Sequence, residues 1–212
     1  MTMAAAAFAA GAASADVLYD NPRSTGNFVD QEFGDYPTYS TYQVADVTFA
    51  SGSVINQITV YTTVGSGNWG GVTLARLNLF TKTGSLPLGT DDPTAGTLVN
   101  ATWTNMGDHG VLVASGLNIP VSGAMWVGLT ASANFGTFGQ EFHLSGTNNL
   151  GDSDAYRNPG GSFGLPAGTN WGPMTDNGIF DISMTIEGVV PAPGAMALLG
   201  LAGIAARRRR RA

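Results

Sequence analysis

The sequence has no cysteine. That removes disulfide frameworks, thiolate nucleophiles and thiolate zinc sites together. Charge is also scarce, at 11% of 212 residues. Of nine basic residues, five form the terminal run Arg207, Arg208, Arg209, Arg210 and Arg211. The rest of the chain keeps only Arg23, Arg76, Lys82 and Arg157, against fifteen acidic residues between Asp16 and Glu187. A surface this acidic repels phosphate backbones and argues against nucleic acid as a partner of the body. No internal window carries apolar residues at the helical period, so a helix bundle and a coiled coil are excluded. What fills the chain instead is Gly, Thr, Ser and Asn, with 30 Gly and 10 Pro. That mix suits short strands joined by turns.

Several segments alternate with a period of two, the mark of a strand with one buried face. Phe180, Ile182, Met184 and Ile186 share one face, opposite Asp181, Ser183, Thr185 and Glu187. Met125, Val127 and Leu129 alternate with Trp126, Gly128 and Thr130. Ala75, Leu77 and Leu79 do the same against Arg76 and Asn78, and Ile58 and Val60 against Thr59 and Tyr61. Tyr42–Phe49 reads as a further strand, with Val54 and Ile55 opening the next. Shorter strands are expected near Thr97–Trp103, Val111–Ala114 and Glu141–Leu144. Turn clusters such as Gly84-Ser85-Leu86-Pro87 and Asn158-Pro159-Gly160-Gly161 separate them. The expected fold is all-β: an antiparallel, jelly-roll-like β-sandwich of about eight or nine strands over residues 16–188. An immunoglobulin-like sandwich is the alternative, although the domain is long for it. Residues 145–178 are rich in Gly, Asn and Pro with little alternation, and read as a long loop.

The two ends read as addresses. Residues 1–15 are an Ala-rich apolar stretch closing on Ala13-Ser14-Ala15, a small-x-small pattern like the later part of a secretory signal peptide. Residues 189–212 hold three parts in order. Pro191, Ala192 and Pro193 form a rigid non-helical break. Ala195–Ala206 is an uncharged apolar run expected to be helical, and the five arginines follow it. Twelve helical residues reach ~18 Å, short of the ~30 Å span that takes about 20 residues. The run can still engage a membrane if the arginines snorkel to the headgroups. The arginine cluster should stay cytoplasmic, which places the acidic body outside.

This tail resembles the PEP-CTERM sorting signal of Gram-negative bacteria, with Pro191-Ala192-Pro193 at the motif, Gly194–Ala206 as the apolar helix and Arg207–Arg211 as the basic cluster. The middle motif residue is Ala where that family has Glu. The resemblance implies processing by an exosortase in the inner membrane, then release to the cell envelope, cell surface or an exopolysaccharide matrix. The body loosely resembles domains found ahead of such tails, at Val17–Asn21, Tyr42–Asp46 and Trp126–Leu129.

Candidate chemistry is thin. There are two histidines and three glutamates. Glu141 and His143 share a strand face and would suit an acid/base pair of a glycan hydrolase; a solvated polar face is the stronger reading. No nucleophile elbow, phosphate loop or zinc-protease motif is present, so no catalytic residue is assigned and an enzyme is not expected. No cofactor is expected either. The inorganic candidate is Ca²⁺ on Asn148, Asp152 and Asp154, oxygen donors in a Gly-containing loop, where an ordinary acidic turn competes. Trp69, Trp171 and Tyr156 are the candidate glycan-stacking residues, since the two tryptophans sit in Gly-rich segments. Core or shielding use is the stronger reading for them, and more so for Trp103 and Trp126. The expected function is that of an exported, non-catalytic envelope or matrix protein. A carbohydrate-binding module for exopolysaccharide is the alternative.

Overall fold

A computed structural model describes residues 15–64, 69–135, 154–161, 168, 170–174 and 181–190, and the backbone of 143–147. The segment read as signal-like, 1–14, the segment read as a sorting tail, from Pro191 onward, and Glu141, Asn148 and Asp152 lie outside the described residues. No helix among the described residues is long and apolar enough to cross a membrane.

The body is all-β. Its described strands are β1 (Asp16–Asn21), β2 (Gly26–Val29), β3 (Glu32–Phe33), β4 (Tyr42–Thr62), β5 (Leu74–Thr81), β6 (Thr97–Asn100), β7 (Thr102–Asn105), β8 (Gly110–Ala133), β9 (His143–Thr147), β10 (Ala155–Arg157), β11 (Gly172–Pro173), β12 (Asp181–Ile182) and β13 (Met184–Val189). The main path of the sheet runs β1-β13-β4-β8-β5-β6, and its pairings are antiparallel.

Two strands organise the rest. The separate strands expected at Tyr42–Phe49 and Val54–Ile55 are one strand, β4, of 21 residues. Those expected at Val111–Ala114 and Met125–Leu129 are likewise one strand, β8, of 24 residues. The two pair from Ala45↔Val127 to Thr62↔Gly110, with a break in register between Phe49 and Ser53. At that level Gly52 has φ 77° and Gly123 has φ 73°. Glycine adopts this left-handed backbone without a Cβ clash, so both chains turn without ending. Sequence patterning reads such a turn as a gap between strands.

Each long strand also changes partner along its length. β8 pairs with β7 at its start and with β5 beyond Met125. β4 pairs with β10 at Tyr42–Val44 and with β13 from Val54 to Val60. Side chains from both ends enter one apolar cluster, including Val47, Leu77, Val127 and Leu129 from one end and Ile58, Leu112, Met184 and Ile186 from the other.

The one-sided burial expected from the alternation is corrected in two places. On β8, Trp126 and Thr130 are as buried as Val127 and Leu129. In the C-terminal strands, Asp181 and Ser183 are buried along with Ile182 and Met184. The reason lies partly in the segment expected to be a long loop. Ala155 and Trp171 pack on Val44 and Trp126, with Phe80 and Leu86 at the margin, as a second apolar cluster. Gly128 permits the arrangement locally. A Cβ there would overlap the carbonyl oxygen of Gln43, so β4 can approach β8 closely only over a glycine.

Candidate functional site

The candidate glycan-stacking residues are not on the surface. Trp69 is 2%, Tyr156 3% and Trp171 6% exposed. Trp69 lies face to face with Trp103, centroids 5.4 Å apart and planes within 9°. Trp103 fixes the pair by donating its indole N–H to Thr62 Oγ1 at 2.9 Å. Tyr156 packs on Phe28 at 4.9 Å. Trp171 meets Phe80 edge-on at 5.8 Å. All three rings are thus packed inside the body, and the structure offers no exposed stacking surface at Trp69, Trp171 or Tyr156. Gly-rich flanks had argued for exposure, but flanking glycine bears on backbone freedom rather than burial.

Exposed aromatic surface gathers elsewhere. Residues Pro37–Tyr39 form a single 3₁₀ turn with Pro37 at its start. Tyr39 N–H donates to the Tyr36 carbonyl at 3.0 Å, and Ser40 N–H to the Pro37 carbonyl at 3.0 Å. At three residues per turn, side chains three apart eclipse. Tyr36 and Tyr39 therefore sit side by side, centroids 5.3 Å apart, with 49% and 38% of their surfaces exposed.

Phe135 completes the patch, from the end of β8. Its ring lies 5.4 Å from Tyr36 and 6.0 Å from Tyr39. Three contacts hold it there. β3 pairs parallel with the end of β8, Glu32↔Ser132 and Phe33↔Ala133. The Gly34 N–H donates to the Ala133 carbonyl at 3.0 Å. The Phe135 N–H donates to Asp35 Oδ1 at 2.7 Å. Beneath, the buried Phe33 ring meets Phe135 edge-on at 5.3 Å. Phe135 is thus fixed from below, while the two tyrosines packed beside it keep wide exposure. Beside them runs an open groove of about 310 Å³ bordered by Gly34, Thr73, Leu74, Ser132 and Asn134. Aromatic faces next to hydroxyl and amide groups can take a sugar ring by stacking and hydrogen bonding.

The charged groups of the body are mostly engaged. Arg23 pairs with Asp108 at 2.9 Å, Arg76 with Glu32 at 2.8 Å and Lys82 with Asp46 at 3.3 Å. Arg157 donates to the carbonyls of Gly168 and Asp91. The four basic side chains of the body thus offer little to an anionic ligand.

Of the calcium candidates, Asp154 is described. It is fully buried, and both its oxygens accept backbone N–H groups, Oδ1 from Asp46 and Oδ2 from Ile182. Burial, then the nearby Asp181, push its carboxyl well above the ordinary range. It pins β4 to β12 in this arrangement, with no oxygen turned to solvent. Among the described residues, no group of three or more histidine or carboxylate side chains is placed to hold a metal ion. Of the acid/base pair, Glu141 lies outside the described residues, and His143 is described as backbone in β9.

A second cavity, of about 610 Å³, opens beside β5 and β6. Its walls are Leu77, Leu79, Phe80, Val99, Leu117 and Ile119, with Thr90, Asp91, Asp92 and Thr97 among its polar lining. Comparison with family models, curated proteins and solved structures gives no match.

Proposed function

We propose that this chain is an exported, non-catalytic envelope or matrix protein that contacts a neutral polysaccharide through Tyr36, Tyr39 and Phe135. The observation that carries the glycan contact is the pair of exposed tyrosines on one 3₁₀ turn, backed by a third ring and bordered by a polar groove. Neutrality of the ligand follows from charge. The body is strongly acidic and its basic side chains are engaged, so an anionic chain would be repelled.

Export is supported by the sequence at both ends, the Ala13-Ser14-Ala15 pattern and the ordered Pro-Ala-Pro, apolar and Arg-rich segments. On this reading an exosortase-type enzyme processes the tail at the inner membrane. The body is a sandwich of jelly-roll type, which fits the larger apolar cluster drawn from both ends of β4 and β8. A non-catalytic role fits the aromatic patch, where, among the described residues, Asp35 is bonded to the Phe135 N–H. Glycoside hydrolysis in most families takes two carboxyl groups flanking the scissile bond.

Two measurements test the reading. Cell fractionation with intact-mass analysis should find the mature protein outside the cytoplasm and shortened at both ends. An unshortened cytosolic chain rejects export. Affinity electrophoresis through neutral polysaccharides should retard the wild type and release the Tyr36→Ala/Tyr39→Ala double variant. A wild type that migrates freely through every neutral glycan rejects the contact.

A further inference from the structure

The main path of the sheet ends on β6, whose outer edge is open. β6 bonds to β5 on one side, and no other strand among the described residues pairs with it. The phase of that pairing fixes which groups face outward. The Ala101 N–H donates to the Thr73 carbonyl at 3.0 Å. Next along the ladder, Val99 lies opposite Ala75 and Thr97 opposite Leu77. Bonded pairs alternate with non-bonded ones between antiparallel strands. Val99 and Thr97 therefore turn their main-chain groups to β5, while Leu98 and Asn100 turn theirs to the open side.

Nothing in β6 guards that edge. Thr97-Leu98-Val99-Asn100 has no charge and no proline, the usual protections of a terminal strand. β1, at the other end of the path, carries Asp16 and Asp20. The edge also borders the cleft of about 610 Å³. Thr97 and Val99 line it with Leu77 and Leu79 of β5, and Leu117 and Ile119 of β8 complete the apolar lining. A strand added beside β6 would send every second side chain to the cleft face.

Charge selects the partner. Asp91 and Asp92, in the turn that leads into the Thr97 end of β6, also line the cleft. Asp91 Oδ2 accepts the Leu88 N–H at 2.7 Å. Asp92 Oδ1 accepts the Thr94 N–H at 3.0 Å and the Thr94 hydroxyl at 2.8 Å. Each turn bond thus uses one carboxylate oxygen and leaves the other. Arg157 lies nearby, but it donates to the main-chain carbonyls of Asp91 and Gly168. Two carboxylates against one buried guanidinium leave this end acidic. It suits a cation, whereas a second copy of so acidic a body is repelled.

We propose that β6 is a docking edge for an extended segment of another protein, with alternating apolar side chains and a basic residue at its C-terminal end. The added strand runs antiparallel to β6, as β5 does, which brings its C-terminal end to Asp91 and Asp92. Its main chain bonds Leu98 and Asn100, and its apolar side chains enter the cleft. The inference does not rest on the glycan contact or on export.

Fluorescence anisotropy with the full chain tests it. The probe is a peptide of three Val-Thr repeats ending in a Lys amide, dye-labelled at its N-terminus. Binding should be saturable. With Val on the cleft face, the Thr residues lie opposite Leu98 and Asn100 and turn their N–H groups to β6. Methylating the Thr nitrogens should weaken binding about tenfold or more, and methylating the Val nitrogens should leave it. Glu in place of the terminal Lys should weaken binding several-fold, and the Asp91→Asn/Asp92→Asn variant should erase that difference. Leu98→Pro removes an outward N–H and no bond to β5, so it should keep the wild-type Tm and lose the peptide. If Leu98→Pro does not fold, the two methylated peptides on the wild type decide. No saturable binding overturns the proposal. So does binding that ignores which nitrogens are methylated, or that survives in folded Leu98→Pro. A Glu peptide that binds as well as the Lys peptide overturns the basic partner. A wild type that dimerises, with the dimer lost in Leu98→Pro, gives the edge to a second copy and overturns the foreign partner.

Discussion

Trp171 donates its indole N–H to the main-chain carbonyl of Asp91 at 3.0 Å. Arg157 donates to the same oxygen at 2.9 Å. One carbonyl thus ties the segments around residues 157 and 171 to the turn before β6, across the outer side of Trp126. The Trp171 ring, a candidate for glycan stacking, closes the second apolar cluster.

Trp171→Ala should therefore cost about 3–5 kcal/mol of stability, the usual range for truncating a buried tryptophan. Trp171→Phe should cost less, since ring burial is mostly kept while the donor to Asp91 is lost, a hydrogen bond worth about 1 kcal/mol. Urea unfolding reads both. Glycan retention of the folded Trp171→Phe protein should equal that of the wild type; a selective loss would return Trp171 to the binding surface.

Tyr36→Ala and Tyr39→Ala should behave in the opposite way. Both rings are widely exposed, so stability should change by about 0.5 kcal/mol or less. Each lost stacking contact is worth about 0.5–1.5 kcal/mol, which corresponds to roughly 2- to 12-fold weaker binding to a neutral polysaccharide. Retardation in affinity gels measures the second effect and urea unfolding the first.

Gly128→Ala should be among the most damaging small substitutions. The added methyl would overlap the Gln43 carbonyl and crowd Val44 Cγ1, both at the point where β4 meets β10. Overpacking of this kind costs about 1–3 kcal/mol, and more where backbone must move. Gly84→Ala is the control, because its nearest atom is 3.8 Å from the new Cβ. Its unfolding curve should nearly superimpose on that of the wild type.

Asp154 gives a pH signature. Burial and the carboxylates of Asp181 and Asp46 raise its pKa, while the N–H groups of Ile182 and Asp46 act in the other direction. Tyr19 faces the same carboxylates, and its hydroxyl is pushed above its ordinary range, chiefly by burial. Because the folded pKa of Asp154 lies above the unfolded one, its contribution is complete below the ordinary carboxyl range. It is lost as pH rises through the raised value. The Tm difference between wild type and Asp154→Asn should therefore shrink from acid to neutral pH. A difference that grows over that interval would contradict the sign.

The aromatic patch was half legible beforehand. Tyr36-Pro37-Thr38-Tyr39 places a proline at the first position of a tight turn and two tyrosines three apart, a spacing that aligns side chains in a 3₁₀ turn. Phe135 carries no such signal. It joins Tyr36 because β3 pairs with the end of β8, a contact between segments about a hundred residues apart in the chain.

Composition and period-two patterning determined the β class and the places of the longer strands, because backbone preference and side-chain alternation are local properties. Tertiary structure decided that β4 and β8 run on through their glycine turns, and that the outer face of Trp126 is covered. It also decided which aromatic rings stay in solvent. Burial is a property of what lies on the other side of a residue, and for Trp126 and Trp171 that is supplied by distant parts of the chain.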